Sequence, residues 1–283
     1  MNKIVLKNLL KSMLILSLIV SSAFGQYTKG NTVVAWSKYK WKDLSKVEGA
    51  SGADWSEAGD NYFTSRNKVD KLLKSSLMLT HYWSGSSEDV HFVNEFANME
   101  DATLWSGNES GLNKKAWPNA DDRKSALSAW NKYFASYHED LHVFENHVAF
   151  RKTAKKKKDS PRKTVLVVTT SYWKRMSDVT DGTTEEREKL MKKYFNKVTM
   201  KNDKVISQRV VTHLWSGHVE NGLWPVTYIK EFANMADADD TESENKLIDK
   251  VFKTDEDKMA YGKYWAGKHD DVGVFYNETW TNK

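Results

Sequence analysis

The chain repeats itself, and that repeat constrains its fold more than any other feature. At an offset of 132 positions, Val33-Val34 falls on Val165-Leu166, Trp41-Lys42 on Trp173-Lys174 and Tyr62-Phe63 on Tyr194-Phe195. The same offset lays THYWSG at 80–85 over THLWSG at 212–217. After four additional residues in the second copy, EFANM at 95–99 meets EFANM at 231–235. Further on, AWNKYFASYHEDLHVFEN (129–146) and AYGKYWAGKHDDVGVFYN (260–277) agree at nine of eighteen positions. Self-similarity of this kind marks a duplicated unit that buries its apolar face against a second copy.

The second copy shows the order of elements more clearly. KTVLVVTTSYW (163–173) is rich in β-branched and aromatic residues and reads as a strand. Thr183 with Glu186 forms a capping box, and Leu190, Met191, Tyr194, Phe195 and Val198 then recur at helical spacing. VISQRVVTHLW (205–215) and WPVTYIKEFANM (224–235) read as a hairpin across a Gly- and Asn-containing connection. Thr254 and Asp257 cap a later helix, expected to carry Met259, Tyr261, Tyr264 and Trp265, and VGVFYNETW (272–280) closes the unit as a strand. In the first copy, Gly49, Gly52 and Gly59 blur the first helix.

This order is β–α–β–β–α–β, the ferredoxin-like split unit, whose sheet has helices on one face and a bare second face. Two units in one chain can bury those bare faces sheet to sheet. The expected class is therefore α+β: two tandem ferredoxin-like repeats forming a fused pseudo-dimeric α/β barrel. In element order, and in the segments KYFASYHEDLHVF and KYWAGKHDDVGVF, the chain resembles the dimeric α+β-barrel superfamily. That superfamily includes antibiotic-biosynthesis-monooxygenase-like and stress-responsive barrel proteins. The resemblance implies a cavity between sheet and helices in each half. Its members range from cofactor-independent oxygenases and haem-degrading enzymes to proteins without chemistry, so the fold does not choose a function.

The first 25 residues read as an export signal rather than structure. Lys3, Lys7 and Lys11 precede the apolar MLILSLIV (13–20), and Ala23-Phe24-Gly25 presents small residues at the positions a signal peptidase reads. The apolar run is too short to span a bilayer comfortably. An exported chain with no cysteine must hold together by its core, which suits a bacterial periplasmic or extracellular setting. The formal net charge is +5, and the signal carries three of the lysines and no acid, so the mature chain is near neutral. RKTAKKKKDSPRK (151–163) holds much of the remaining basic excess. It reads as a solvated linker rather than a nucleic-acid footprint, because no basic stripe recurs elsewhere. The expected organisation is a signal at 1–25, a first repeat at 26–152, a linker at 153–163 and a second repeat at 164–283.

Residues alike in both copies are the candidate ligand-binding set. Strand alternation puts His81 with Trp83, and His213 with Trp215, on one face. On the following strand Glu95 and Glu231 share one face, with Asn98 and Asn234 on the other. His138 lies four residues after Phe134, and His269 four after Trp265, which places each imidazole on the aromatic side of a helix end. One reading is a pocket lined by Trp and His around a small aromatic or haem-like ligand, bounded by His81 and Trp83 and by His213 and Trp215. The other is that these groups satisfy each other and the backbone while Trp fills the core.

A metal site finds no support. His138 and His142 have ligand spacing for one helical face, but Gly273 stands at the second position in the other copy. No HExxH, calcium loop, GxSxG, GxGxxG or phosphate loop is present, and no cofactor is indicated. The expected function is an exported small-molecule-binding barrel, in an enzymatic form a cofactor-independent oxygenase-like protein, a fused pseudo-dimer whose further association is left open, without nucleic-acid partner or membrane span. The competing reading is a non-catalytic extracellular protein that binds a partner or carbohydrate through exposed Trp105, Trp117 or Trp224.

Overall fold

The computed structural model describes residues 28–154, 161–216, 219 and 221–283. The expected signal and the middle of the basic run lie outside them. Asn31–Lys283 cluster as one unit. Its first half runs β1 (Thr32–Trp41), α1 (Gly52–Val69), β2 (Leu73–His81), β3 (Asp89–Phe96), α2 (Met99–Gly107), α3 (Glu109–Ala116), α4 (Ala120–Asn131) and β4 (Phe134–Asn146). The second half runs β5 (Lys163–Trp173), α5 (Thr184–Tyr194), β6 (Val205–His213), β7 (Trp224–Phe232), α6 (Met235–Ala238), α7 (Thr241–Val251), α8 (Asp255–Gly262) and β8 (Trp265–Glu278).

The eight strands close into a barrel in the order β1-β3-β2-β8-β5-β7-β6-β4, antiparallel throughout. Each half contributes four adjacent strands, and the halves meet at two seams, β2 with β8 and β4 with β6. Alternation sends one face of every strand into the lumen. Val34, Trp36, Leu77, Leu79, Val93, Phe144, Leu166, Val168, Val211, Ile229 and Phe275 fill it as one cluster. A separate apolar layer lies under the helices of each half, around Phe63, Trp130 and Tyr133 in the first and Met191, Phe195 and Val210 in the second. Trp280, beyond the last strand of the second copy, packs into the first-half layer, while Phe150, beyond β4, packs into the second-half layer.

The repeated Trp-Ser pairs, Trp83-Ser84 and Trp215-Ser216, close the seams. The backbone N–H groups of Trp83 and Ser84 donate to Val274 O at 3.3 and 3.1 Å, and Val274 N–H donates back to Ser84 Oγ at 2.8 Å. Trp215 and Ser216 treat Val143 identically, at 3.1, 3.0 and 2.9 Å. Each copy therefore finishes the last strand of the other.

Three expectations from the sequence are corrected. The helix expected to run through Trp265 ends at Gly262, and its first-copy counterpart ends at Asn131, so His138 and His269 lie on strands β4 and β8. Pairing with β1 and β5 (Tyr39 with His138, Ser171 with His269) overrides the local helical spacing. Asn98 and Asn234 lie beyond their strands as N-caps, accepting the N–H of Asp101 at 2.8 Å and of Asp237 at 2.9 Å. The blurred first helix is regular, and Gly59 is a packing requirement: an added Cβ would meet Trp280 at 2.6 Å and Trp130 at 2.9 Å.

Candidate functional site

A groove of about 570 Å³ opens on the helix side of the first half. Trp41, from the end of β1, and Trp55, from α1, form its walls with Leu44 and Tyr133. Their indoles meet edge to face at 5.6 Å. The floor is the outward face of the β2–β8–β5 seam, where Thr80, Glu278 and Lys163 also line the groove. Glu278 is fully buried and accepts from Thr80 Oγ1 at 2.9 Å, Lys163 Nζ at 2.9 Å and Trp280 Nε1 at 2.9 Å. Lys163 keeps half of its side chain exposed and lies 5.1 Å from the Tyr276 ring centroid. The arrangement offers flat apolar walls for a ring system, with a fixed ion pair and a hydroxyl at one edge.

None of the ten residues singled out by the repeat lines this groove. His81 and His213 are exposed at the ends of β2 and β6, their Nδ1 atoms 3.1 and 3.0 Å from the carbonyls of Ser84 and Ser216. Trp83 and Trp215 are 65% and 57% exposed rather than lining a pocket with them, because β2 and β6 end at His81 and His213 and strand alternation no longer holds beyond. His138 and His269 are exposed and face Asp140 at 3.0 Å and Asp271 at 3.6 Å.

Glu95 and Glu231 are buried inside the barrel. Glu95 accepts from Thr32 Oγ1 and Ser75 Oγ at 2.7 Å each and from Arg151 Nη1 at 2.7 Å. Arg209 Nε lies 3.6 Å away, reaching in from the other half. Burial pushes the Glu95 carboxyl up, but Arg209 and Arg151 with the two hydroxyls outweigh it and hold it below the usual carboxylate range. Glu231 repeats the hydroxyl pattern with Thr164 at 2.7 Å, Ser207 at 2.6 Å and Asn277 at 3.0 Å. The ends of the basic run are likewise built into the structure: besides Arg151, Lys152 Nζ donates to Thr199 O and Asn202 O.

The pairing of His138 with His142 as metal ligands does not arise. A bulge at Leu141 shifts the register of β4 between them, so His138 lies against Tyr39 on the helix side while His142 faces Trp36 in the lumen. There Trp36 Nε1 donates to His91 Nδ1 at 3.1 Å. Burial pulls His91 down to about 4 and lowers His142 as well, so both imidazoles are neutral at pH 7. Among the described residues no cluster of three His, Cys, Asp or Glu could hold a metal ion, and no helix is long and apolar enough to cross a membrane.

The groove residues had a partial sequence signal: Trp41 and Tyr133 recur as Trp173 and Tyr264. Trp55, Lys163 and Glu278 do not recur, being aligned with Arg187, Asn31 and His147.

Two ferredoxin-like units closed into one eight-stranded barrel with helices outside define a dimeric α+β barrel whose halves share a single chain. No family model matches the chain, and no curated protein matches it in sequence. Three solved structures illustrate what it is similar to. A candidate monooxygenase from Fusobacterium nucleatum is 11% identical, with 89% of this chain and 93% of that chain covered and a TM-score of 0.45. A haem-binding protein from Thermus thermophilus is 11% identical over 89% and 93%, at a TM-score of 0.40. A variant of the chlorite dismutase from Candidatus Nitrospira defluvii is 9% identical over 86% and 90%, also at 0.40.

Proposed function

We propose that this chain is a small-molecule-binding barrel whose first-half groove holds a flat aromatic ligand. The supporting observation is the groove itself: two indoles from different elements wall an open space whose floor carries a buried, fully paired Glu278. Haem iron is commonly held by His, Cys, Met or Tyr, and of these only Tyr133 lines the groove among the described residues, with its hydroxyl sealed from solvent. The lining therefore favours an aromatic compound without iron over haem. In its enzymatic form the same reading is a cofactor-independent oxygenase-like reaction on that compound, which oxygen uptake during turnover would detect. Calorimetric titration with 2-naphthol tests the binding itself: saturable binding to the native chain, lost in Trp55→Ala, supports it. Equal binding by the two proteins refutes it.

The carbohydrate reading is favoured by a different observation, the exposure of Trp83, Trp215 and Trp224 at 65%, 57% and 45%. Trp117 is buried, and Trp105 is half-buried with its Nε1 donating to Asp70 at 2.6 Å, so neither serves that role. Retention on immobilised glycans, abolished by Trp83→Ala with Trp215→Ala, would establish this second reading. Export remains part of the proposal, motivated by the basic and apolar leader. A secreted product whose N-terminus is Gln26 supports it, and an intracellular product retaining Met1 contradicts it.

A further inference from the structure

Because residues 33–85 align without a gap on 165–217, each half serves as a control for the other over that stretch. Trp41, Trp55 and Thr80 of the first-half groove have Trp173, Arg187 and Thr212 as their counterparts. Where Trp55 meets Trp41 edge on at 5.6 Å, Arg187 lies over the Trp173 ring with its guanidinium carbon 4.3 Å from the centroid. The second half has exchanged an indole for a cation at the corresponding position.

Arg187 is half-buried and makes no hydrogen bond or ion pair with any described residue. Its Nε–H and the indole Nε1–H of Trp173 are both sealed from solvent and both unpartnered. The neighbouring acids on α5 make their own direct contacts with other groups. Glu186 Oε2 accepts from Lys263 Nζ at 2.9 Å and from Tyr264 OH at 2.6 Å, and Glu188 lies 3.7 Å from Lys192. Burial disfavours the charged guanidinium, and Glu188 offsets this only from a distance, without a hydrogen bond or ion pair to Arg187. A carboxylate from outside the chain would supply the direct partner that the fold does not. With its face on the indole, the guanidinium retains the planar edge that grips a carboxylate through two parallel hydrogen bonds.

We propose that the second half carries its own ligand site, in which Arg187, seated on Trp173, binds the carboxylate of an aromatic acid. The two halves then divide recognition: the first half takes a neutral ring system against the wall that its two indoles form, and the second takes an anion. This site does not depend on the first-half groove, and each can fail without the other.

The test is calorimetric titration of the full chain with 2-naphthoate, beside 2-naphthol as the probe of the first-half groove. Arg187→Leu should bind 2-naphthoate at least about tenfold more weakly than the native chain, and Arg187→Lys should fall between them because it keeps the charge but loses the fork. Binding of 2-naphthol should be the same in all three proteins, and the native affinity for 2-naphthoate should fall as salt is raised. Equal affinity of the native chain and Arg187→Leu for 2-naphthoate, or no binding by the native chain, would overturn the proposal. Thermal unfolding supplies a ligand-free check: removing an unpaired cation should leave Tm unchanged or raise it. A marked fall in Tm for Arg187→Leu would assign Arg187 to the fold instead and equally overturn the site.

Discussion

Ser84 Oγ accepts the backbone N–H of Val274 at 2.8 Å, so a serine of the first copy completes the last strand of the second. Ser216 does the same for Val143 at 2.9 Å. The repeated THxWSG motif is thereby explained as the device that closes the barrel. Ser84→Ala and Ser216→Ala should each cost about 1 kcal/mol in urea unfolding, since each leaves a strand N–H without its acceptor. The seams lie on opposite sides of the barrel, so the double variant should lose close to the sum. Unfolding midpoints unchanged from the native chain would show that the seams hold without the hydroxyls.

Arg209 carries the second connection between halves. It stands where the first copy has Leu77, and it lies 3.6 Å from Glu95 while donating from Nη2 to Ser75 at 3.0 Å. Glu95→Gln leaves two guanidinium groups facing a neutral amide in the barrel interior and should destabilise by about 3 kcal/mol. The native carboxyl is held below its ordinary value, so its contribution is present above pH 4.5 and disappears as pH falls through the lower, folded-state value. Glu95→Gln should therefore flatten the pH dependence of stability below pH 4.5. A variant as acid-sensitive there as the native chain would contradict this assignment.

The lumen histidines act in a higher window. Burial draws His91 down to about 4 from 6.5, so the unfolded chain binds more protons between those values. Stability is complete above pH 6.5 and declines toward pH 4, with His91 accounting for roughly 2–3 kcal/mol of the loss. His142 and His147, also lowered chiefly by burial, act in the same direction. His91→Gln keeps an acceptor for the Trp36 N–H while removing the titration, so its midpoint should fall less between about pH 7 and pH 4.5. An identical decline would place the acid sensitivity elsewhere.

The fold was largely legible because duplication and strand composition are local signals, whereas the candidate groove joins residues far apart in the chain. Val33-Val34 against Val165-Leu166, and the paired EFANM segments, marked the units correctly. His138 and His269 were misplaced because helical spacing continues past Asn131 and Gly262, while pairing with distant β1 and β5 decides where the strands begin. Residues alike in both copies are the groups that both halves need for the same architecture, Glu95 and Glu231 in the lumen and Asn98 and Asn234 as caps. The groove arises where the copies differ, at Trp55 against Arg187 and Lys163 against Asn31. A repeat reports shared structure, and divergence within it marks the surfaces free to specialise.

Trp41 and Trp55 are the walls of the proposed ligand site. Calorimetric titration of the native chain and of Trp55→Ala with 2-naphthol tests it most directly. Saturable binding with one first-half site per chain is expected, weakened at least about tenfold when the Trp55 wall is removed. Equal binding by both proteins, or none by the native chain, would contradict it.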